Sequence, residues 1–386
     1  MSAIDTGRLE GAAAPAPSGP AWSRGQAYGF CGHQTDLGAC AAAIRKGSKS
    51  FHLASMILPR ETRQAAQALY AFCRHADDLI DDPRANRLAL NRLRVRLDLI
   101  YRGTPAAYAC DRAFARTVAA YAIPKTVPLA LLDGFAMDIA NRRYRTIAEV
   151  KTYATRVAST VGLMMALVMR TGDRQALARA ADLGIAMQLT NIARDVGADA
   201  RLGRLYLPAD WLEAAGVDAE RFLRAPRFSP ALGEVVQRLV GEAAHHYRLG
   251  HAGIAALPAR CRPAIRTAAL VYEEIGAAIA ANGYDSVSRR AHIKLGGKLA
   301  LMLRAQGPAP SGPTSSARLL GAAADPAAAE LVAAAADAFS RAPSRIAADR
   351  ADPGRFLTII MRLQAQTRDE RRFRRLEARE KASGLV

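Results

Sequence analysis

The sequence predicts an all-α protein. Helix formers dominate, alanine above all, and no series of alternating β-branched runs broken by hairpin turns occurs. Two aspartate pairs, Asp77/Asp81 in RHADDLIDD and Asp195/Asp199 in QLTNIARDVGAD, stand at helical i,i+4 spacing inside otherwise apolar stretches. With 386 residues, 51% of them hydrophobic, the chain has enough apolar surface for one large helical domain around a central cavity.

Taken in order, residues 1–40 read as a flexible tail. Positions 1–22 are rich in Ala, Pro, Gly and Ser and lack the basic start and apolar core of a signal peptide, so a cytoplasmic chain is expected. Order is expected from about residue 40, where 41–44 lead into KGSKSFHLASMILP; Lys49, Ser50 and Phe51 suit a phosphate-contacting segment that opens a helix, whose free amides favour anions. Helices are then expected over 61–82, 86–101, 111–121, 125–140, 149–170, 174–197, 231–256 and 261–281. Gly203, Pro208, Pro226 and Pro230 punctuate a long connection beside the second aspartate pair. The stretch RAQGPAPSGPTSSAR marks a linker, which bounds a domain at 41–303, a linker at 304–320 and an extension at 321–386. That extension holds an Ala-rich stretch, 321–338, and a tail in which 341–386 carries twelve Lys/Arg against six Asp/Glu. An amphipathic helix lying on an anionic membrane surface and a plain solvated or disordered tail both fit it.

The aspartate pairs carry the chemistry. At 3.6 residues per turn, positions four apart share a face, so each pair aims two carboxylates the same way, at a cost of a few tenths of a kcal/mol (about 0.2–0.5) unless a cation compensates. Mg²⁺ takes oxygen ligands and is commonly held by one or two carboxylates plus substrate phosphates. Two acidic faces across a cavity therefore read as a magnesium–diphosphate site. A solvated acidic surface is the bland alternative, and the apolar flanks 68–73 and 183–187 argue against it.

Other classes are disfavoured. Neither a GxGxxG nor a GxxxxGK[ST] fingerprint occurs, which weakens nicotinamide and P-loop proposals. Five scattered cysteines without CxxC spacing suggest reduced thiols, neither a disulfide framework nor a zinc site. The longest apolar run, 157–169, falls short of the roughly 20 residues a bilayer span needs. The formal charge of +19 is spread along the chain with no nucleic-acid-binding motif, so anionic ligands and an anionic membrane surface explain it better than nucleic acid.

Several long motifs in order, SKSF with LP, ALYAFCRHADDLIDD, NRRYRT, YATRVASTVGLMM, LGIAMQLTNIARDVGADARLGRLYLP and GYDSVSRRAHIKLGGK, resemble the squalene/phytoene synthases over about residues 45–300, the bacterial phytoene-forming members most closely. The resemblance implies the all-α isoprenoid synthase (terpenoid synthase) fold. It also implies that Asp77 and Asp81, with Asn191, Asp195 and Asp199, hold Mg²⁺, or Mn²⁺ in its place, against diphosphate. Arg74, Arg194, Arg290 and Lys298 match basic positions near the phosphates, and Ser50, Tyr70, Tyr153, Gln188, Tyr206 and Tyr272 match polar and aromatic positions around them. For Tyr153 and Tyr272 core packing is an equal reading. His75 has no catalytic role by resemblance.

The implied activity joins two geranylgeranyl diphosphates head to head through prephytoene diphosphate to phytoene, a prenyltransferase step of carotenoid biosynthesis that uses no NADPH. Peripheral membrane association and contact with neighbouring carotenoid enzymes go with greasy substrates and products. A sister enzyme acting on C15 farnesyl diphosphate, and a non-catalytic assembly factor of the same fold, remain alternatives. Departures from the family pattern are Ala198 where Glu is common, Ser159 for Gly, and Ala154-Thr155 for Cys-Tyr; they bear on cavity shape more than on metal chemistry.

Overall fold

A computed structural model describes residues 30–81, 87–307 and 313–342, and every regular element among them is helical. In chain order these are α1 (Phe30–Gly47), α2 (Lys49–Ile57), α3 (Arg60–Asp81), α4 (Arg87–Arg102), α5 (Ala109–Tyr121), α6 (Thr126–Ile139), α7 (Ile147–Ala154), α8 (Thr160–Val168) and α9 (Arg174–Arg201). They are followed by α10 (Ala209–Ala214), α11 (Ala219–Arg224), α12 (Pro230–Ile254), α13 (Arg262–Ala281), α14 (Leu295–Arg304), α15 (Pro313–Leu320) and α16 (Ala329–Arg341).

The long helix α9 is the spine. Asp173 caps its start by accepting from the Ala176 amide at 3.0 Å, and Gly203, at φ +73°, lies just past its end. Leu177, Ala181, Ile185, Leu189, Ile192 and Val196 are buried in core, while Ala180, Gly184, Gln188 and Asn191 line a cavity on another side. A helix enclosed on this many sides shows little one-sided amphipathicity, and its ends must come from caps. The sequence expectation stopped it at 197; Gly197 instead stays helical because its missing side chain lets the backbone of Val287 lie against it.

Two core clusters flank α9. One joins α3, α4, α5, α6, α8 and α16 through side chains such as Phe72, Leu97, Phe114, Leu132 and Leu163; the other joins α7 and α9 to α13 through Leu189, Trp211, Leu239, Tyr247 and Ile279. On α3 the division of faces is plain: Leu69, Phe72, Ala76 and Ile80 are buried in the first cluster, while Tyr70, Cys73, Arg74 and Asp77 border the cavity. Expected helix 149–170 begins at Ile147, capped by Thr146, and is interrupted by a π-turn at Thr155–Ser159. There Ser159, which replaces a frequent glycine, donates its hydroxyl to the Ala181 carbonyl of α9 at 2.7 Å. The close approach is made from the other side, by Gly184, where a Cβ would overlap the backbone of Ala158 and Ser159.

Order begins earlier than residue 40. Helix α1 runs through the expected tail because Asp36, buried, is held by Arg112 at 2.6 Å and Arg116 at 2.8 Å on α5. The segment expected as linker and Ala-rich extension also joins the main body: α15 lies within 304–320, and Leu331, Val332 and Ala335 of α16 enter the first core cluster. Gly172 supplies the slot that receives the Phe339 ring. The basic tail from 343 onward, and with it the expected amphipathic helix, lies outside the described residues. Cys40, Cys73, Cys110 and Cys261 form no disulfide among the described residues.

The α9–π-turn contact makes a stability prediction. Gly184→Ala should cost about 1–3 kcal/mol in denaturant unfolding, because backbone atoms cannot retreat. Gly241→Ala, exposed on α12 with nothing near its missing Cβ, should be neutral or stabilising by up to about 1 kcal/mol. Equal effects at the two positions would contradict the close approach.

Candidate active site

A cavity of about 640 Å³ opens between α2, α3, π-turn and α8, α9, α12 and α13. Its walls carry Arg74, Asp77, Tyr70, Tyr153, Gln188, Asn191, Arg194, Tyr272 and Arg290, nine of the expected site residues. The polar groups gather toward one end. On α3, Arg74 is 3.3 Å from the Asp77 carboxylate and 2.5 Å from Asp78. On α9, the Asp195 carboxylate is gripped by its neighbour Arg194, at 2.9 and 2.5 Å, and by Arg290, at 2.7 and 3.2 Å. Burial alone would push Asp195 up; the two guanidiniums hold it below the ordinary carboxylate value.

Arg290 reaches this place because of Gly197. The Gly197 amide donates to the Ser286 carbonyl at 3.0 Å, Arg201 donates to the Val287 carbonyl at 3.0 Å, and the loop after α13 is thereby laid along α9. One turn from Asp195, Asp199 has no guanidinium clamp: burial first, and then the Asp195 charge, push its carboxyl up to about 7 against the weaker pull of Arg204 and Arg194.

Ser50 and Lys298, separated by most of the chain, meet at 2.9 Å, with the ammonium donating to the hydroxyl. Burial, then the charges of Lys49 and Arg194, hold Lys298 below its ordinary value. Cations gathered beside a partly desolvated lysine form a ready anion site. Phe51 stacks on Tyr272 at 5.4 Å, with Tyr70 tilted against it at 6.4 Å, and Gly47 leaves room for the Tyr70 hydroxyl. Burial raises the Tyr70 and Tyr272 phenols, which therefore stay protonated.

Tyr153 and Tyr206 both donate to Asp138, at 3.1 and 2.8 Å; the Tyr206 ring stacks on Tyr153 and on Tyr144, and Tyr153 is tilted against Tyr144. Asp138 lies on the cavity wall at the end of α6 and adds to the charge felt by Asp199. The sequence reading passed it over, although an aspartate ending an apolar helix carries the same signal as the two pairs. Asn191 donates to Gln188 at 3.3 Å. His75 packs beside Tyr108, at 5.2 Å between rings, and holds no place in the cavity wall.

Asp81 is the last residue of α3 and its side chain lies outside the described residues. Among those described, no three His, Cys, Asp or Glu side chains converge at metal-ligand spacing. The physical reason at α9 is that Asp195 is closed by guanidiniums. The chemistry of the donors nevertheless suits a hard divalent cation: oxygen ligands on α3 and α9, one of them, Asp199, raised by desolvation and by the Asp195 charge against the weaker pull of Arg204 and Arg194.

The profile of the family described as squalene/phytoene synthase matches residues 44–296. The phytoene synthase of Rhodobacter capsulatus is 46% identical over 70% of this chain and 80% of its own length, and that of Cereibacter sphaeroides is 49% identical over 66% and 75%. Among solved structures, a dehydrosqualene synthase in complex with ligand superposes with a TM-score of 0.66 at 30% identity, covering 72% of this chain and 97% of the other. A squalene synthase from Alicyclobacillus acidocaldarius gives 0.60 at 26%, covering 65% and 95%. Motif order, helical architecture and these likenesses agree, and the chain belongs to the squalene/phytoene synthase family.

Proposed function

We propose that this protein is a prenyltransferase that condenses two geranylgeranyl diphosphates head to head, through prephytoene diphosphate, to phytoene in carotenoid biosynthesis. The observation that carries the reading is the pair Arg194 and Arg290 on the wall of a largely apolar cavity, with Asp195 held between them and the Asp199 and Lys298 charges within electrostatic reach of the pair. Relatives that are named phytoene synthases support the substrate class.

In the first step, the C1–O bond of one substrate breaks and its electron pair leaves with diphosphate. The C2–C3 double bond of the other substrate attacks C1, and loss of a proton closes the cyclopropane. In the second, the C–O bond of the intermediate breaks, the ring rearranges to the 1–1′ linkage, and a proton leaves to form the central double bond. No electrons are gained or lost overall, so NADPH has no role. Arg74, Arg194, Arg290 and Lys298 bind phosphate oxygens and stabilise the leaving charge. With Arg194 and Arg290 on the phosphate, Asp195 would be free to hold Mg²⁺ or Mn²⁺ together with Asp77, Asp81, Asn191 and Asp199. When bound, that ion supplies Lewis-acid stabilisation of diphosphate departure. The rings of Phe51, Tyr70 and Tyr272 present π faces to developing positive charge, and apolar walls such as Met165 and Leu183 exclude water.

Incubating purified protein with Mg²⁺ and C20 or C15 diphosphate, without NADPH, should yield a C40 hydrocarbon from C20. A C30 product instead would move the assignment to the farnesyl-using sister enzymes, and no product from either would point to an assembly factor. Asp77→Asn and Asp195→Asn should each lower kcat/KM by about 10²-fold or more with an unchanged circular dichroism spectrum; full activity in either variant would remove that residue from the site.

Asp199 gives a pH prediction. Its folded value, about 7, lies above the ordinary aspartate value of 3.8, so metal-free stability falls as pH rises between the two and the carboxyl is forced to ionise. Metal-free Asp199→Asn should therefore melt above the parent at pH 8, by a few degrees (~2–4 °C). The gap should shrink at pH 5, and Mg²⁺ should raise the melting temperature of the parent more than that of the variant. A gap independent of pH would contradict the assignment.

Among the described residues no helix is long and apolar enough to cross a membrane. Access to greasy substrates at the cytoplasmic face of a membrane is assigned to peripheral contact through the basic tail, where downstream carotenoid enzymes would receive the product. Deleting 343–386 should weaken binding to anionic vesicles; unchanged partitioning would reject the tail as an anchor.

A further inference from the structure

The end of the cavity remote from the charges contains an arginine. Arg179 lines it, yet its side chain is 0% exposed and both terminal nitrogens of its guanidinium are hydrogen-bonded elsewhere. It donates to the carbonyls of Leu319 at 2.5 Å and Ala323 at 3.0 Å, with Leu320 at 3.4 Å, and lies 2.8 Å from Asp182 as an ion pair without hydrogen-bond alignment. What Arg179 offers the cavity is therefore its aliphatic stem. On the opposite side Gly253 of α12 touches that stem, where a Cβ would overlap its first carbons.

The grip on the guanidinium is itself anchored. Asp182 takes His246 Nδ1 at 2.8 Å, the far nitrogen of His246 faces Asp325 at 3.8 Å, and Asp325 is paired with Lys151 at 3.1 Å. This buried row ties residues 319–325, beyond the family match that ends at 296, to α9, α12 and α7. An unheld guanidinium beside an apolar cavity would be costly to desolvate.

The position along α9 matters. At about 1.5 Å per residue, Arg179 lies roughly 18 Å along the helix from Asn191 and roughly 24 Å from Asp195. With bonds of about 1.5 Å advancing ~1.3 Å each, the sixteen-carbon main chain of a C20 prenyl group spans about 19 Å, a C15 group about 14 Å and a C25 group about 25 Å. With C1 near Asn191, a C20 chain ends beside Arg179.

We infer that Arg179 is a specificity-determining residue, whose stem, held by the carbonyls of 319–323 and by Asp182, sets the depth of the prenyl cavity at C20. This rests on the prenyltransferase reading above. The C-terminal segment thereby takes part in substrate selection without touching substrate.

The test is competition among C15, C20 and C25 diphosphates with the full-length enzyme, read as ratios of kcat/KM. Arg179→Ala should raise the C25/C20 ratio by about tenfold or more, the scale of a few methylene contacts. Arg179→Met, which keeps a stem and loses the guanidinium, should return the ratio toward the parent while remaining less stable than it. If Arg179→Ala does not fold, Ala180→Leu narrows the cavity at the same level and should lower the C20/C15 ratio by about tenfold. Unchanged ratios in folded variants, or a shift in Arg179→Met as large as in Arg179→Ala, would overturn the inference. A parent enzyme inactive on all three substrates would instead overturn the prenyltransferase reading itself.

Discussion

The Asp195 carboxylate, clamped between Arg194 and Arg290, is the interaction on which the rest of the site depends. It joins the spine helix to a loop that follows α13, and so fixes a cationic group over the cavity mouth without a ligand present. Two forked guanidiniums on one carboxylate are a strong but exchangeable arrangement, because phosphate oxygens offer the same geometry with more charge. On the reading proposed above, substrate would thereby free Asp195 for the metal. Asp199, one turn away, feels Arg204 and Arg194 too weakly to offset burial and the Asp195 charge, which leaves the same site electrostatically incomplete from the acidic side.

A clamp of this kind needs a rigid helix beneath it. Glycine at 162, 184, 250 and 253 lets α8, the π-turn and α12 press against α9 at backbone distance, which leaves α9 little freedom to tilt. The same glycines keep the walls thin, so that a large cavity fits beside a helix that is otherwise buried. Stability and cavity volume are opposed here: each close approach excludes a side chain that could have filled the void, and residues 319–341, docked through Arg179 and the core-facing side of α16, help to close the remote end.

Much of this was legible from the amino acids because it depends on local pattern. Aspartates at i,i+4 inside apolar runs placed two acidic faces, and family motifs added Arg290 and Lys298 from far along the chain. What escaped depends on contacts that spacing does not encode. Asp36 is meaningful only with Arg112 and Arg116, some eighty positions on; Arg179 only with carbonyls near 320; Gly197 reads as a helix stop until Val287 is laid against it. Asp138 was within reach of a similar rule, but it has no aspartate four positions away on its helix, and its two tyrosine donors arrive from other elements. Ser159 looked like a change in cavity shape and turned out to be a hydrogen bond between two core helices.

The most direct test of the exchange at Asp195 is calorimetric titration of Mg²⁺ into the protein with and without inorganic diphosphate. If diphosphate draws Arg194 and Arg290 away from Asp195, Mg²⁺ binding should tighten by about tenfold or more when diphosphate is present, a coupling of at least ~1.4 kcal/mol, and Arg290→Met should reduce that coupling. Equal Mg²⁺ affinity in both titrations would contradict the clamp as the switch that opens the site.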